Sequence, residues 1–295
     1  MGLFDRFKKK APEPAPKSEW PEPPREDTMA LLLMDRVLED IDPVIEHLQT
    51  AFGAGAVSDI DRSHPRVPAF IVTVDGLEFW CSYLPMPVPQ EDRDIPAMAQ
   101  YNLFLNPQEQ EAFVHHKSFW VVAQKGGGKT LEGKRRACWD FSLLCAALLE
   151  LEGGVGVSVT NTALLVSREN YLSYRARMEE IGRDDPDWFP VPLWIWFYRG
   201  MKEDKPTIQT QGLAEFGLPE LGFFAPELPP QDTLNYLFTM SSWQITGKQL
   251  YRNMALIPLT EELEVVSKQD GDTIFFIGGG PENLRKPIDS PAKMW

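Results

Sequence analysis

The sequence predicts an α+β protein: a mixed, largely antiparallel sheet, or sheets, with helices packed on one face. Three observations point there. Apolar runs of strand length outnumber helix-length ones, and Val67–Val74 and Leu77–Leu84 meet at Asp75-Gly76, a pair suited to a tight primed hairpin turn. Residues 131–151 carry apolar side chains at 138, 141, 145 and 148, then at 144 and 151, and these spacings of three, four and seven make one buried helical stripe. The elements run β-α-β-β-α, then β-α-β-β-α-β-β-β-α-β, which is not the strict alternation of a doubly wound parallel sheet. Each half opens with strand, helix and hairpin, so the pattern suggests one body over residues 28–280 with two similar lobes, 28–114 and 115–280.

Residues 11–27, APEPAPKSEWPEPPRED, hold six of the 26 prolines and little to bury, so residues 1–27 read as a disordered, extended leader. Met29–Met34 then reads as a buried strand, and Val37–Phe52 as a helix with Pro43 near its first turn. After the hairpin, Pro85, Pro87 and Pro89 end the ladder, because proline has no N–H to donate. Ile95–Leu103 and Pro107–Val114 read as helical, Ser118–Ala123 as a strand, and Leu131–Leu151 as the long helix. Short strands Val155–Val159 and Ala163–Val166 precede a charged helix about Glu169–Ile181, and the aromatic run Val191–Tyr198 reads as a strand. Thr207–Leu213 and Leu221–Phe224 are further strands, Gln231–Gly247 is a helix, and Thr273–Ile277 is the last strand before a tail of residues 281–295.

The 295 residues are 43% apolar and 24% charged, near the globular average, and nine Trp with 17 Phe mark an aromatic-rich core. The formal net charge is −14, and residues 1–27 carry six basic and six acidic side chains, so the whole excess falls on the body. That sign opposes the collection of phosphates and excludes nucleic acid as the main ligand. It favours a basic protein partner, which opposite charge would steer. Cys81, Cys138 and Cys145 have no metal-ligand spacing and no disulfide framework, so they read as core residues of a cytoplasmic protein. No run approaches the roughly 18 apolar residues of a membrane span. Leu3, Phe4 and Phe7 beside Lys8, Lys9 and Lys10 offer only a weak membrane-surface contact through residues 1–10.

Ala123-Gln124-Lys125-Gly126-Gly127-Gly128-Lys129-Thr130 fits a relaxed Walker pattern between an apolar strand and a helix. In such a loop Gly126, Gly127 and Gly128 free backbone N–H groups for phosphates, Lys129 neutralises phosphoryl oxygens, and Thr130 meets a metal. Three features weigh against a nucleotide-hydrolysing core. Ala123 replaces the usual first glycine, no apolar strand after the loop ends in an acid, and the downstream strands read as antiparallel. A nucleotide-binding protein or enzyme using residues 123–130 is therefore the alternative reading. His115 and His116 precede a strand, where their rings diverge, and no GxSxG, HExxH or Cys-His signature stands elsewhere. No catalytic set, metal site or cofactor is expected.

Asn161-Thr-Ala-Leu-Leu-Val-Ser167, the aromatic run from Val191, Thr210-Gln-Gly-Leu-Ala-Glu-Phe-Gly-Leu-Pro-Glu-Leu221 and Asp270-Gly-Asp-Thr-Ile274 carry a likeness. Over roughly residues 28–280 they resemble the bacterial domain of unknown function 4261 family. The resemblance implies an α+β fold and, from the toxin and type VI secretion neighbourhoods of some members, an immunity or accessory role. It implies no catalytic residues. Physically, Gly212 and Gly217 permit turns, Pro219 fixes one, and Glu215 or Glu220 caps backbone N–H groups, in a motif whose role is unassigned. The resulting expectation is a non-enzymatic, cytoplasmic protein-binding module with a basic partner.

Overall fold

The computed structural model describes residues 24–277, without 26, 64–66, 125, 203–204, 225–228, 254 and 260–263. The leader up to residue 23, the membrane-contacting residues 1–10 and the tail 281–295 lie outside the described residues. The first sheet takes β1 (Thr28–Met34), β2 (Val57–Asp61), β3 (Ala69–Val74), β4 (Leu77–Leu84), β5 (Ser118–Gln124), β6 (Gly154–Val159) and β7 (Leu165–Ser167). Their order is β2-β3-β4-β5-β1-β6-β7, and each adjacent pair is antiparallel. The second sheet takes β8 (Trp196–Lys202), β9 (Lys205–Gln211), β10 (Glu220–Phe224), β11 (Leu256–Pro258), β12 (Glu264–Asp270) and β13 (Thr273–Ile277). Its order is β11-β12-β13-β10-β9-β8, with one parallel pair, β10 with β13. The fold is α+β and mostly antiparallel.

β1 explains its own sequence. It sits in mid-sheet with a helical layer on each side, so Leu31 and Leu33 are buried on one face while Ala30, Leu32 and Met34 are buried on the other. A strand covered on both faces has no use for polar alternation. The hairpin between β3 and β4 turns on Asp75 at φ 48° and Gly76 at φ 83°, the two positive values a primed turn requires.

The helices are α1 (Asp42–Phe52), α2 (Ile95–Tyr101), α3 (Pro107–Val114), α4 (Leu131–Glu150), α5 (Arg168–Ile181) and α6 (Pro230–Ile245). α1, α4 and α5 join a core with Leu32, Trp120 and Val122, which continues into the second sheet through Leu221, Phe223 and Phe276 beneath α6. The one-face arrangement describes these longer helices. α2 and α3 add a smaller layer on the opposite face, where Ile95, Ala99 and Phe113 cover Leu31, Leu33 and Phe119.

The lobe boundary expected near residues 105–117 is corrected. β5 inserts between β4 and β1, so a division there would cut the first sheet through its middle. The two sheets instead divide after β7, across α5 and the 3-10 turn Val191–Leu193. That turn also corrects the strand expected over Val191–Tyr198: Pro192 and its neighbours close a helical turn, and β8 begins at Trp196. Among the described residues no helix is long and apolar enough to cross a membrane.

Candidate functional site

Because β1 lies antiparallel between β5 and β6, those two strands run in the same direction and α4 crosses over β1 to join them. Three segments therefore meet at one end of the sheet: the glycine loop leaving β5, the Thr160-Asn161 turn leaving β6, and the chain entering β1.

Beneath that end lies Lys134, which is 0% exposed. Its ammonium donates to Arg25 O at 2.7 Å, Thr28 Oγ1 at 2.6 Å and Glu215 Oε1 at 2.6 Å. Glu215 Oε1 also accepts from Thr28 Oγ1, and Oε2 accepts from Asn161 Nδ2 at 2.8 Å. A lysine has three N–H donors, and here each has an acceptor. The pair is closed, with no donor left for a substrate. It ties α4, the start of β1 and the turn after β9 together.

The motif around residues 210–220 folds inward as well. Glu220 Oε1 accepts from the N–H groups of Gly212 at 2.8 Å and Ala214 at 3.1 Å, while Oε2 accepts from Thr210 Oγ1 at 2.8 Å. Burial pushes this carboxyl above its ordinary range, and the hydrogen bonds pull in the other direction. Gly212 sits at φ +131°, where a Cβ would fall 2.4 Å from Trp194 O. Gly217, in the left-handed region, ends the 3-10 turn, and Pro219 O accepts from Gln244 Nε2 at 3.2 Å. Glu215 and Glu220 are both buried supports, 4% and 8% exposed.

The glycine loop is placed on the surface. Lys129 and Thr130 are exposed, and Thr130 caps α4 by accepting the Gly133 N–H at 3.1 Å. Gly128, at φ +58°, presses on the first turn of α4. Both neighbours of β5 are antiparallel, unlike the parallel core of nucleotide hydrolases. Asp75 does stand at the same sheet end, but Arg183 holds it. Among the described residues no group of three His, Cys, Asp or Glu side chains could hold a metal ion. His116 is buried, accepting from Val88 N–H through Nε2 and donating from Nδ1 to Phe113 O, while His115 is exposed.

Arg183 reaches from Asp75 to Asp140, whose carboxylate lies 3.4 Å away on α4. Burial pushes the Asp140 carboxyl up to about 6, against the pull of Arg183 and with the push of Asp75. A carboxyl with a raised folded-state value favours folding most when it is protonated, and that contribution is lost as pH rises from about 4 to about 6. Asp140→Asn is therefore expected to stabilise the chain by about 1–3 kcal/mol at neutral pH. The gain should fade toward about pH 4, as urea titrations across that range would show. A gain independent of pH would contradict this origin.

Sequence reasoning missed an apolar groove of about 250 Å³ between the α2–α3 turn, α5 and α6. Its floor includes Leu164 and Phe197, and its walls include Tyr174 and Phe238. Phe238 packs on Phe197 with ring centroids 4.1 Å apart and meets Phe104 at 6.3 Å. Phe104 is 40% exposed, and its chain neighbours Leu103 and Tyr101 are 60% and 70% exposed. The turn that carries them is fixed. Asn102 donates to Leu165 O on edge strand β7 at 2.8 Å and accepts from Phe104 N–H at 2.9 Å. Asn106 and Glu109 then close a capping box on α3. The available signal was Leu103-Phe104-Leu105 between two asparagines, an apolar triplet in a turn.

Comparison with family models, curated protein sequences and solved structures finds no match to this chain.

Proposed function

We propose that this chain is a non-enzymatic protein-binding module whose groove takes an apolar side chain of a basic partner. The observation that carries the reading is the α2–α3 turn, which holds Leu103 and Phe104 exposed beside an aromatic groove. Rigid apolar anchors lose little freedom on binding, so more of their buried area becomes affinity. The −14 charge selects the sign of the partner. A cytoplasmic location and the immunity or accessory role suggested by the family resemblance belong to this proposal.

Leu103→Asp/Phe104→Asp tests it: Leu103 is 60% exposed, and loss of the Phe104 edge contact with Phe238 should cost only about 1 kcal/mol, so the variant stays folded. Full-length chain should retain one stoichiometric basic protein from its source cells, released by salt, and the double variant should lose it, at a cost of about 2 kcal/mol or more. Equal retention by both proteins, or no retained protein, would remove the groove from the account.

A further inference from the structure

The glycine loop offers donors that the protein does not use. Between Gly126 and Glu132 no backbone N–H has a hydrogen-bond partner among the described residues, and the first one taken is that of Gly133. These groups stand at the N-terminus of a 20-residue helix, where aligned peptide dipoles leave partial positive charge. Gly126 at φ +78° and Gly128 at φ +58° flank Gly127, which is not in the left-handed region. Alternation of left-handed and other glycine conformations is the backbone pattern from which anion-binding nests are built.

A second observation comes from the strand below. Gln124 is 3% exposed, and its Oε1 has no hydrogen-bond partner. The amide is turned into the underside of the loop: a Cβ on Gly127 would fall 2.5 Å from Oε1 and 3.2 Å from Nε2. An orphaned buried amide oxygen is costly. A half-turn of the amide, nearly isosteric, places Nε2 there and gives the loop a side-chain donor. Lys129 is exposed and supplies a cation. The Thr130 hydroxyl uses a lone pair on Gly133 N–H and keeps its proton for an incoming oxygen. Arg135 and Arg136 follow on α4 against Glu132, so the local sign is positive on an acidic body.

We infer that residues 126–130, with Gln124 beneath them, bind a phosphoryl group of a small phosphorylated ligand. The chemistry is binding without hydrolysis. β5 has no parallel neighbour to carry a metal-holding acid beside the loop, and Asp75 is taken by Arg183. The site is separate from the groove and stands whether or not the groove binds a protein.

The test is nitrogen-15 NMR of the full chain titrated with inorganic phosphate, pyrophosphate and ATP, against potassium chloride at matched ionic strength. The amide signals of Gly126, Gly127 and Gly128 should move saturably with the phosphorylated probes alone. Lys129→Ala should weaken binding about tenfold, Lys129→Arg should retain it, and Gln124→Met should weaken it with the helix intact. Equal affinity for phosphate and ATP would assign the site to the phosphoryl group by itself. Much tighter ATP binding would assign it to a nucleotide, and both outcomes uphold the site. Unmoved glycine signals, movement equalled by chloride, or an unchanged affinity in Lys129→Ala would overturn it.

Discussion

Glu215→Ala is expected to destabilise the protein by about 3–5 kcal/mol in urea unfolding, a large share of the roughly 5–15 kcal/mol that holds a typical domain. The reason is the neighbour left behind. Lys134 is fully buried and donates to Glu215 at 2.6 Å, so the substitution strands an ammonium with only Arg25 O and Thr28 Oγ1 as acceptors. Asn161 loses its acceptor as well. Removing both charges should behave differently. Lys134→Met/Glu215→Leu eliminates the unpaired ion and should recover much of the loss, because apolar replacements of a buried pair are often neutral. Recovery should stop short of wild type, since Thr28 and Asn161 remain without Glu215. A double variant no more stable than Glu215→Ala would show that packing, not charge, sets the cost.

The second large effect is expected at Gly128. A Cβ there would lie 2.2 Å from both Gly133 C and Lys134 N, backbone atoms of the first turn of α4 that cannot swing aside. The residue also sits at φ +58°. Gly128→Ala should therefore cost about 3–5 kcal/mol, overpacking added to left-handed strain, or shift the start of α4. Gly126 provides the control. It is also left-handed, but a Cβ on it would meet nothing within 4 Å, so Gly126→Ala should cost only about 1–2 kcal/mol. Thermal unfolding of the two variants separates contact from conformation. Equal losses would mean that the close approach to α4 is unimportant.

What was legible in the sequence was local. The Asp75-Gly76 hairpin, the stripe of α4 and the apolar run of β1 all follow from pattern, because each depends on neighbours in the chain. β2, Val-Ser-Asp-Ile-Asp, was invisible: it is an edge strand with four of its five residues exposed, so it carries no apolar alternation. β12 was missed for a related reason, since only Val265, Val266 and Ser267 in it are buried. Pattern also failed at Val191, where aromatic content suggested a strand and Pro192 in fact sits in a 3-10 turn.

The sites divide along the same line. Glycine, lysine and threonine in the loop after β5 were visible as a motif. The partner of Glu215 was not, because Lys134 lies 81 residues earlier and reads as one more helix-surface cation. Glu220 takes the backbone N–H groups of its own turn, a local role that spacing can suggest. The groove joins residues from 104 to 238 and exists only once the sheets have packed, so no window of sequence contains it.

The position of β1 has a consequence for how the chain is made. Its partners on either side are β5 and β6, and the second of these ends at Val159. At about 5–20 residues per second, the roughly 125 residues between Met34 and Val159 occupy the ribosome for on the order of 6–25 s. Until β5 ends at Gln124, about 90 residues on, the most apolar strand of the sheet has neither neighbour to pair with, and from there to Val159 it has only β5. Nascent chains of this protein therefore expose an unpaired apolar segment of the kind chaperones bind, until β6 pairs with it and completes the interior of the sheet.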